Sequence, residues 1–352
     1  MDILIEKIKI DSKASIIQAL RKMDEVGHKM LLVFIDRKFY SILTIGDIQR
    51  AIIHAVDLSS SIVSILNIES KKYVTPTDSE ELVKQQMLAI RAEFMPVVDE
   101  MGELVGLYQW SDFFPAYAPE AVRKKIDLPV VIMAGGLGTR LKPLTNVIPK
   151  PLIPIGEKTI LEQIMDQFES IGCSKFYLSV NYKCEILKFY LKQLQHQYDI
   201  DFFQEQQPLG TIGSVSLLKD KITTPFFVSN CDIIVDQDFR DVYEYHCENK
   251  NDLTVVTAVK SYKIPYGVVE AGDNGVFVNI TEKPEWTYKI NTGVYVLNPE
   301  VVAEIPKNQF FHITHLMEKL KEKGGKIGCF PISEKSWTDM GEWSEYLKLI
   351  SR

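Results

Sequence analysis

The chain has 352 residues, 46% of them hydrophobic and 25% charged, enough for two domains with buried cores and outside the composition of a disordered chain. Its 40 lysines and arginines are outnumbered by 47 acids, for a formal net charge of −7, and no basic cluster interleaves with aromatics, which argues against nucleic acid as the main partner. The opening MDILIEKIKIDSK lacks the order of a secretory signal, and no apolar run approaches the ~18 residues that span a bilayer, so a cytoplasmic protein with no membrane partner is expected.

The first elements form an internal repeat. Ile16, Ile17, Leu20, Met23 and Val26 recur at helical spacing and stop at Gly27, and MLLVFI, a turn at Asp36-Arg37-Lys38 and FYSIL follow. This predicts helix, strand, turn, strand. The second copy keeps the order: Leu82, Met87, Leu88 and Ile90 in a helix from about Ser79 to Glu93, then MPVVD, a turn at Glu100-Met101-Gly102, and ELVGLY. After each second strand an Asp opens a helix, in Thr44-Ile45-Gly46-Asp47 and Gln109-Trp110-Ser111-Asp112. On local grounds Asp47 and Asp112 are N-caps that accept the orphan amides of a helix start, worth about 1 kcal/mol each.

LTIGDIQRAI and MPVVDEMGELVGLYQWSD resemble the cystathionine-β-synthase-type (CBS) domain, which occurs in tandem pairs, and the resemblance covers residues 1–120. It implies an α+β tandem module in which Thr44 and Asp47 hold the ribose of an adenine or guanine nucleotide, with a helix N-terminus suited to the phosphate. Such a pair would regulate activity or build a homodimer or higher homo-oligomer. The second copy has Gln109 where that signature has a hydroxyl. FFPAYAPEAVRKKIDLP, with its prolines and basic cluster, then reads as a linker that ends over residues 121–128.

From Val130 the run VVIMA predicts a strand buried on both faces, and it leads into Gly135-Gly136-Leu137-Gly138-Thr139-Arg140. Glycine permits positive φ and close approach of amides to an anion, and Arg140 adds a donor fork matched to phosphate. Lys142 and Lys150 put two more cations on a loop that Pro143, Pro149 and Pro151 are expected to hold extended. Together these suit a polyphosphate. The loop fits neither G-x-x-x-x-G-K-[ST] nor G-x-G-x-x-G, so P-loop hydrolases and dinucleotide-binding dehydrogenases lose their sequence basis. Helix Thr159 to Ser170, strand Phe176 to Val180, helix Cys184 to Leu194 and strand Ile200 to Gln204 then alternate as in a Rossmann-like, doubly wound α/β sheet. The strand PFFVS delivers Asp232 to its carboxyl end, where open α/β sheets bind ligands. Asp273-Asn274-Gly275 reads as a hairpin turn. His312 and His315, at i and i+3 of a helix, read as packing or surface residues, and the five cysteines as buried thiols.

The string GGLGTRLKPLTNVIPKP resembles the signature G-G-x-G-T-R-L-x-P-L-T-x-x-x-P-K-P of sugar-1-phosphate nucleotidyltransferases, and the similarity continues to the end, over residues 129–352. It implies a mixed, GT-A-like sheet in which Gly135, Gly136, Gly138, Thr139 and Arg140 hold an incoming nucleoside triphosphate and Lys150 contacts its phosphates. Pro208-Leu209-Gly210-Thr211-Ile212-Gly213 resembles the P-L-G-T-A-G turn and would set Gly210 and Thr211 against the nucleobase, with Ile212 in place of Ala. Asp232 and Asp339, the latter in a W-x-D-x-G segment, would hold Mg2+, a hard cation suited to two carboxylates and triphosphate oxygens. Gly267 and Glu282 would meet sugar hydroxyls, Lys283 the sugar phosphate, and Thr292 or Gly293 the sugar rim. Arg140, Lys150 and Asp232 would be the catalytic residues. A CBS pair ahead of a transferase of this length resembles the guanylyltransferases of legionaminic acid synthesis, which implies GTP and glucosamine-1-phosphate as substrates and GDP-glucosamine as product. Mannose- or glucose-1-phosphate with another NTP, and a catalytically silent nucleotide sensor, are the alternatives.

Overall fold

The computed structural model describes residues 2–66, 73–90, 92–114, 123–193 and 198–350. The chain divides into two compact units, Met1–Lys124 and Lys125–Arg352. Among the described residues, no helix is long and apolar enough to cross a membrane.

The first unit runs α1 (Asp2–Ile8), β1 (Lys9–Asp11), α2 (Ile16–Val26), β2 (Met30–Ile35), β3 (Lys38–Thr44), α3 (Ile45–Ile53), α4 (Glu80–Ile90), β4 (Phe94–Val98), β5 (Leu104–Gln109) and α5 (Trp110–Phe113). Local chemistry accounts for α2: Ser15 and Gln18 close a capping box, Ile16, Leu20 and Met23 are buried, and Gly27 ends the helix at φ 73. Asp36 and Arg37 both take positive φ, which the tight β2–β3 turn demands. β2 pairs in parallel with β1 and antiparallel with β3. The repeat is visible in the backbone: Val74 bridges Val97 in parallel as Ile10 bridges Val33, each 64 residues on, and the antiparallel ladder is interrupted after Val33 and again after Val97. The copies meet at Glu93, whose carboxylate lies 3.1 Å from His28 Nδ1 and accepts the Lys29 amide at 3.2 Å.

Asp47 and Asp112 are not N-caps. Thr44 is the N-cap of α3, and Asp47, three residues on, reaches back so that its Oδ2 accepts the Thr44 amide at 2.8 Å and the Thr44 hydroxyl at 2.7 Å. Arg50 also pairs with Asp47. Asp112 accepts the Gln109 amide in the same way at 2.7 Å. A carboxylate at the third helical position bonds backward to the cap, as in a capping box. Thr44 and Asp47 are therefore engaged with each other at the helix start.

The second unit contains β6 (Val130–Met133), β7 (Pro154–Ile155), β8 (Lys158–Thr159), α6 (Ile160–Ser170), β9 (Lys175–Val180), α7 (Cys184–Lys192), β10 (Asp199–Gln204), β11 (Phe226–Asn230) and β12 (Ile233–Val235). α8 (Phe239–Glu248), β13 (Leu253–Lys263), β14 (Val268–Ala271), β15 (Phe277–Thr281), β16 (Glu285–Leu297), α9 (Ile313–Glu322), β17 (Ile327–Ser333), β18 (Trp337–Asp339) and α10 (Trp343–Ile350) complete it. Among the described residues, β10, β9, β6, β11, β16, β13 and β17 form one mixed sheet in that order. It is parallel from β10 to β11, antiparallel on both sides of β16, and parallel again between β13 and β17. Of the stretch read as a linker, residues 115–122 lie outside the described residues. After it, the Ile126 amide donates to Ile171 O at 2.8 Å and Leu128 is already part of the second unit's core.

Successive residues of β6 enter different cores. Val130 and Ile132 pack with Ile164 of α6 and Phe239 of α8, whereas Val131 packs with Val215 and with Leu316 of α9. Both faces are covered, which is why the strand is apolar throughout. Phe168 and Phe239 stack at 4.4 Å with an interplanar angle of 8°, adding to the area they bury.

Cys173 and Cys231 are buried, but Cys247 and Cys329 are exposed and Cys184 is intermediate, which corrects the expectation of buried thiols throughout. Cys247 lies off the buried face of α8, and Cys329 is an outward residue of the edge strand β17. Burial pushes the Cys173 and Cys231 thiols up to about 12.

His246 has Nδ1 2.9 Å from Thr254 Oγ1 and Nε2 3.1 Å from Asn298 Oδ1. Burial holds its pKa below the usual value, partly opposed by the Asn298 bond. The folded state thus prefers a neutral ring, so its contribution is present above the unfolded pKa of 6.5 and is lost as pH falls through and below that value. Thermal melts from about pH 7.5 down to about 5 should show a falling midpoint, with His246→Gln flattening the decline. An unchanged pH slope in the variant would contradict this.

Candidate active site

The sheet order sets the site. From β6 the chain moves outward through β9 to β10, then returns to the other side of β6 as β11. The crevice beyond the carboxyl ends of β6 and β11 is therefore a topological switch point, where ligands bind in open α/β sheets. Gly135 to Arg140 follow β6 directly and Asp232 lies two residues beyond β11.

The glycine loop folds back on itself. Gly138 has φ 62, and a Cβ there would stand 2.8 Å from Thr145 Cγ2, while the Thr145 hydroxyl donates to Gly138 O at 2.9 Å. Only glycine satisfies both the dihedral and the contact. Thr139–Leu141, Leu144–Asn146 and Lys150–Leu152 are short 3-10 turns, so the loop is coiled, contrary to the extended form expected from its prolines. Proline fixes only φ near −65°, which a 3-10 turn shares. Lys183 braces the loop through the Thr145 and Asn146 carbonyls, and Trp343 Nε1 donates to Lys142 O at 3.0 Å.

Two acids and two cations converge in front of this loop. β12 pairs antiparallel with β18 so that Ile233 faces Asp339, which brings Asp339 beside Asp232 across more than a hundred residues of sequence. Lys150 Nζ bonds to the Asp232 carboxylate, and both side chains are largely buried. Arg140 stands 4.0 Å from Asp232, 3.8 Å from Asp339 and 3.3 Å from Glu342. Burial pushes the Asp339 pKa up; the Gly341 amide bond opposes this, the charge of Asp232 adds to it, and Arg140 and Lys150 offset it further. A Cβ at Gly341 would fall 2.7 Å from both Asp339 Oδ1 and Arg140 NH2 and 3.0 Å from Asp232 Oδ2. The glycine thus keeps open the space the two carboxylates face. Hard oxygen donors around such a gap fit Mg2+.

Behind the loop lies a polar network that sequence reasoning did not find. Glu205, buried, takes the Ser179 hydroxyl at 2.5 Å on one oxygen and the Leu209 amide at 3.1 Å on the other. It is also 3.3 Å from where a Gly135 Cβ would lie, so the carboxylate that ties the Pro208–Gly213 turn to β9 also lies against the glycine loop. Its position just after β10, at the carboxyl end of a parallel strand, was the available signal. In that turn, Gly210 has φ 80 and a Cβ would come 2.6 Å from Phe311 O, while Thr211 Oγ1 accepts the Ile313 amide at 3.0 Å. Ile212 is fully buried. His312 precedes α9 rather than lying within it, and the His315 ring bonds back to its amide at 3.2 Å.

On the other side of Asp232, Gly293 has φ 88 and packs against Asn230, whose Nδ2 would be 2.5 Å from a Cβ. The Gly293 amide donates to Asn291 Oδ1 at 3.0 Å. Thr292 differs from its expected role: it is buried and its hydroxyl donates to Val256 O at 2.8 Å, so the strand turns that side chain into the sheet. Gly267 and Glu282 are adjacent, a Cβ on Gly267 falling 2.9 Å from Glu282 Oε2, and Lys283 follows with φ 46.

Residues 129–352 match the family model described as nucleotidyl transferase. The chain is 36% identical over 182 residues to mannose-1-phosphate guanylyltransferase catalytic subunit beta of Drosophila melanogaster, covering 50% of this chain and 49% of that protein. It is 33% identical over 226 residues to mannose-1-phosphate guanyltransferase of Pichia angusta, covering 62% of each. The chain thus spans about half to three-fifths of the length of these curated relatives. Among solved structures, HddC from Yersinia pseudotuberculosis is similar at 28% identity and a TM-score of 0.51, over 64% of this chain and 98% of that one.

Proposed function

We propose, from the premise that this chain belongs to the nucleotidyl transferase family, that it transfers a nucleotidyl group from GTP to a sugar-1-phosphate, giving a GDP-sugar and pyrophosphate. The observation that carries this reading is the convergence of Arg140 and Lys150 on Asp232 and Asp339 at the switch point of the sheet. An oxygen of the sugar-1-phosphate attacks the α-phosphorus, a new P–O bond forms, and the bridging oxygen departs with its electron pair on pyrophosphate. The attacking phosphate is already ionised, so no side chain needs to act as base. Gly135, Gly136, Gly138 and Thr139 supply amides to the triphosphate, and Arg140 and Lys150 neutralise charge as it grows on the departing oxygens. Asp232 and Asp339 would hold Mg2+, which when bound screens the triphosphate charge. Gly210 and Thr211 lie in the turn read as the base platform. Gly267, Glu282, Lys283 and the Gly293 backbone stand on the sugar side.

GTP is favoured by the order of a repeated N-terminal unit and a C-terminal transferase, and the guanylyltransferase relatives support the same base. For the sugar, glucosamine-1-phosphate is the first choice, on the order of a repeated N-terminal unit and a C-terminal transferase, as in legionaminic acid synthesis. Mannose-1-phosphate is the second reading, favoured by the relatives' names. Residues 1–120 are read as the tandem CBS module on the strength of their backbone repeat, 121–128 as its connection, and 129–352 as the catalytic domain. With GTP and Mg2+ fixed, kcat/KM for glucosamine-1-phosphate should exceed that for mannose-1-phosphate by roughly tenfold or more, the discrimination that pairing or orphaning one polar group provides. The reverse ratio would replace the first sugar by the second.

A further inference from the structure

Arg140 faces two acids without bonding to either. Its guanidinium nitrogens stand 4.0 Å from Asp232 and 3.8 Å from Asp339, beyond hydrogen-bond range, whereas Nη1 donates to Glu342 Oε1 at 3.3 Å. An arginine fork free to choose closes on a carboxylate at about 2.7–2.9 Å. Here it stops at the rim of the gap. A Cβ on Gly341 would lie 2.7 Å from both Arg140 Nη2 and Asp339 Oδ1 and 3.0 Å from Asp232 Oδ2, so the three groups border one small space.

The backbone explains how Glu342 can hold the guanidinium there. Glu342 directly precedes α10, and its carbonyl accepts the Tyr346 amide at 3.0 Å. α10 is tied at two points to the segment that follows Arg140: Trp343 Nε1 donates to Lys142 O at 3.0 Å, and the Tyr346 hydroxyl donates to Pro154 O at 3.2 Å. Arginine and glutamate therefore rise from one fixed frame. Their pairing orders two side chains but no further stretch of backbone, which keeps its entropic cost small.

Charge makes the placement matter. Asp232 is already bonded to Lys150. If Arg140 closed on Asp339 as well, each acid would have its own cation and little attraction for a divalent ion would remain. With Glu342 included, three carboxylates face two cations, a formal charge of −1. Glu342 takes up the charge of Arg140 and leaves that of Asp339 available.

We propose that Glu342 is a positioning residue that holds Arg140 off Asp232 and Asp339, so that both acids stay open to a divalent ion and the guanidinium can turn to the triphosphate. This role rests on the assignment of Asp232 and Asp339 as the metal-holding pair. Mn2+, which shares the oxygen preference of Mg2+, can be titrated into the substrate-free full chain and followed by electron paramagnetic resonance. Glu342→Gln should weaken Mn2+ binding by roughly fivefold to tenfold, as the fork closes on the acids. The thermal midpoint should not move, since both side chains of the pair are more than half exposed. In the Arg140→Gln background the same substitution should weaken binding by at most about twofold, the screened attraction of one exposed charge. Equal weakening in both backgrounds, or no weakening by Glu342→Gln alone, overturns the proposal. Asp232→Asn distinguishes the two assignments. Mn2+ binding that survives it removes the metal-holding pair and the proposal with it, whereas binding lost in Asp232→Asn but unmoved in Glu342→Gln removes only the role of Glu342.

Discussion

Asp232→Asn is expected to lower kcat by roughly 10³-fold with little change in the thermal midpoint, the magnitude seen when one preorganised electrostatic group is removed from a site. Asp232 lies beyond the end of β11, pairs with Lys150 and stands beside Asp339. Asparagine keeps the shape and can still accept from the Lys150 ammonium, so the fold is retained. What it removes is the charge that, with Asp339, would hold a divalent ion against the triphosphate. Alanine would be a less clean test, because it would leave the largely buried Lys150 without its partner, a loss that costs stability as well as activity. Steady-state rates at saturating Mg2+, taken with a melt, separate the two effects. More than about a tenth of the original turnover would remove Asp232 from the metal-binding role.

Lys150→Met is the second large effect, with an expected loss of roughly 10²–10³-fold in kcat. The ammonium does two things in the structure. It neutralises Asp232, and its charge helps keep the Asp339 pKa from rising further. Without it two adjacent carboxylates face each other with only Arg140 nearby, at 4.0 and 3.8 Å. The variant should also need less Mg2+ for half-maximal activity, since the ammonium no longer competes with the ion for the Asp232 carboxylate. Lys150→Arg is not expected to rescue it, because a planar fork cannot replace a compact point charge in this largely buried position. Wild-type kcat at an unchanged Mg2+ requirement would show that Lys150 is a structural counter-ion only.

Much of the site was readable because its parts are contiguous. Val130 to Arg140 form a strand and a turn whose glycines have a local reason, and Asp232 follows a recognisable apolar strand. Asp339 became a candidate only through resemblance, since nothing in the residues around it tells that β18 pairs with β12. Glu205, Lys183, Gly341 and Glu342 could not be placed this way. Each meets at least one residue distant in sequence, Ser179 being 26 residues from Glu205 and Glu342 being 202 from Arg140, and no periodicity encodes such contacts. Other departures have local causes. The prolines of the loop permitted coiled turns as readily as an extended chain, and the direction of Thr292 depends on register, where a shift of one residue turns every side chain over. At Asp47 the residue type was right for a helix start, but the position within the first turn was off by three.

The resemblance places Gly267 and Glu282, at the base of the exposed β14–β15 ribbon, on the sugar side, and the residues between them read only as a hairpin. The exposure of its apolar side chains gave no signal in the sequence, because alternation along a strand predicts two faces and not whether either is covered.

The proposed reaction joins two phosphorylated substrates. Phosphorus NMR of the folded protein with Mg2+, GTP and glucosamine- or mannose-1-phosphate tests it most directly. Pyrophosphate and a GDP-sugar should appear in equal amounts, only when both substrates are present. No pyrophosphate from any of the common NTPs paired with glucosamine-, mannose- or glucose-1-phosphate would contradict it.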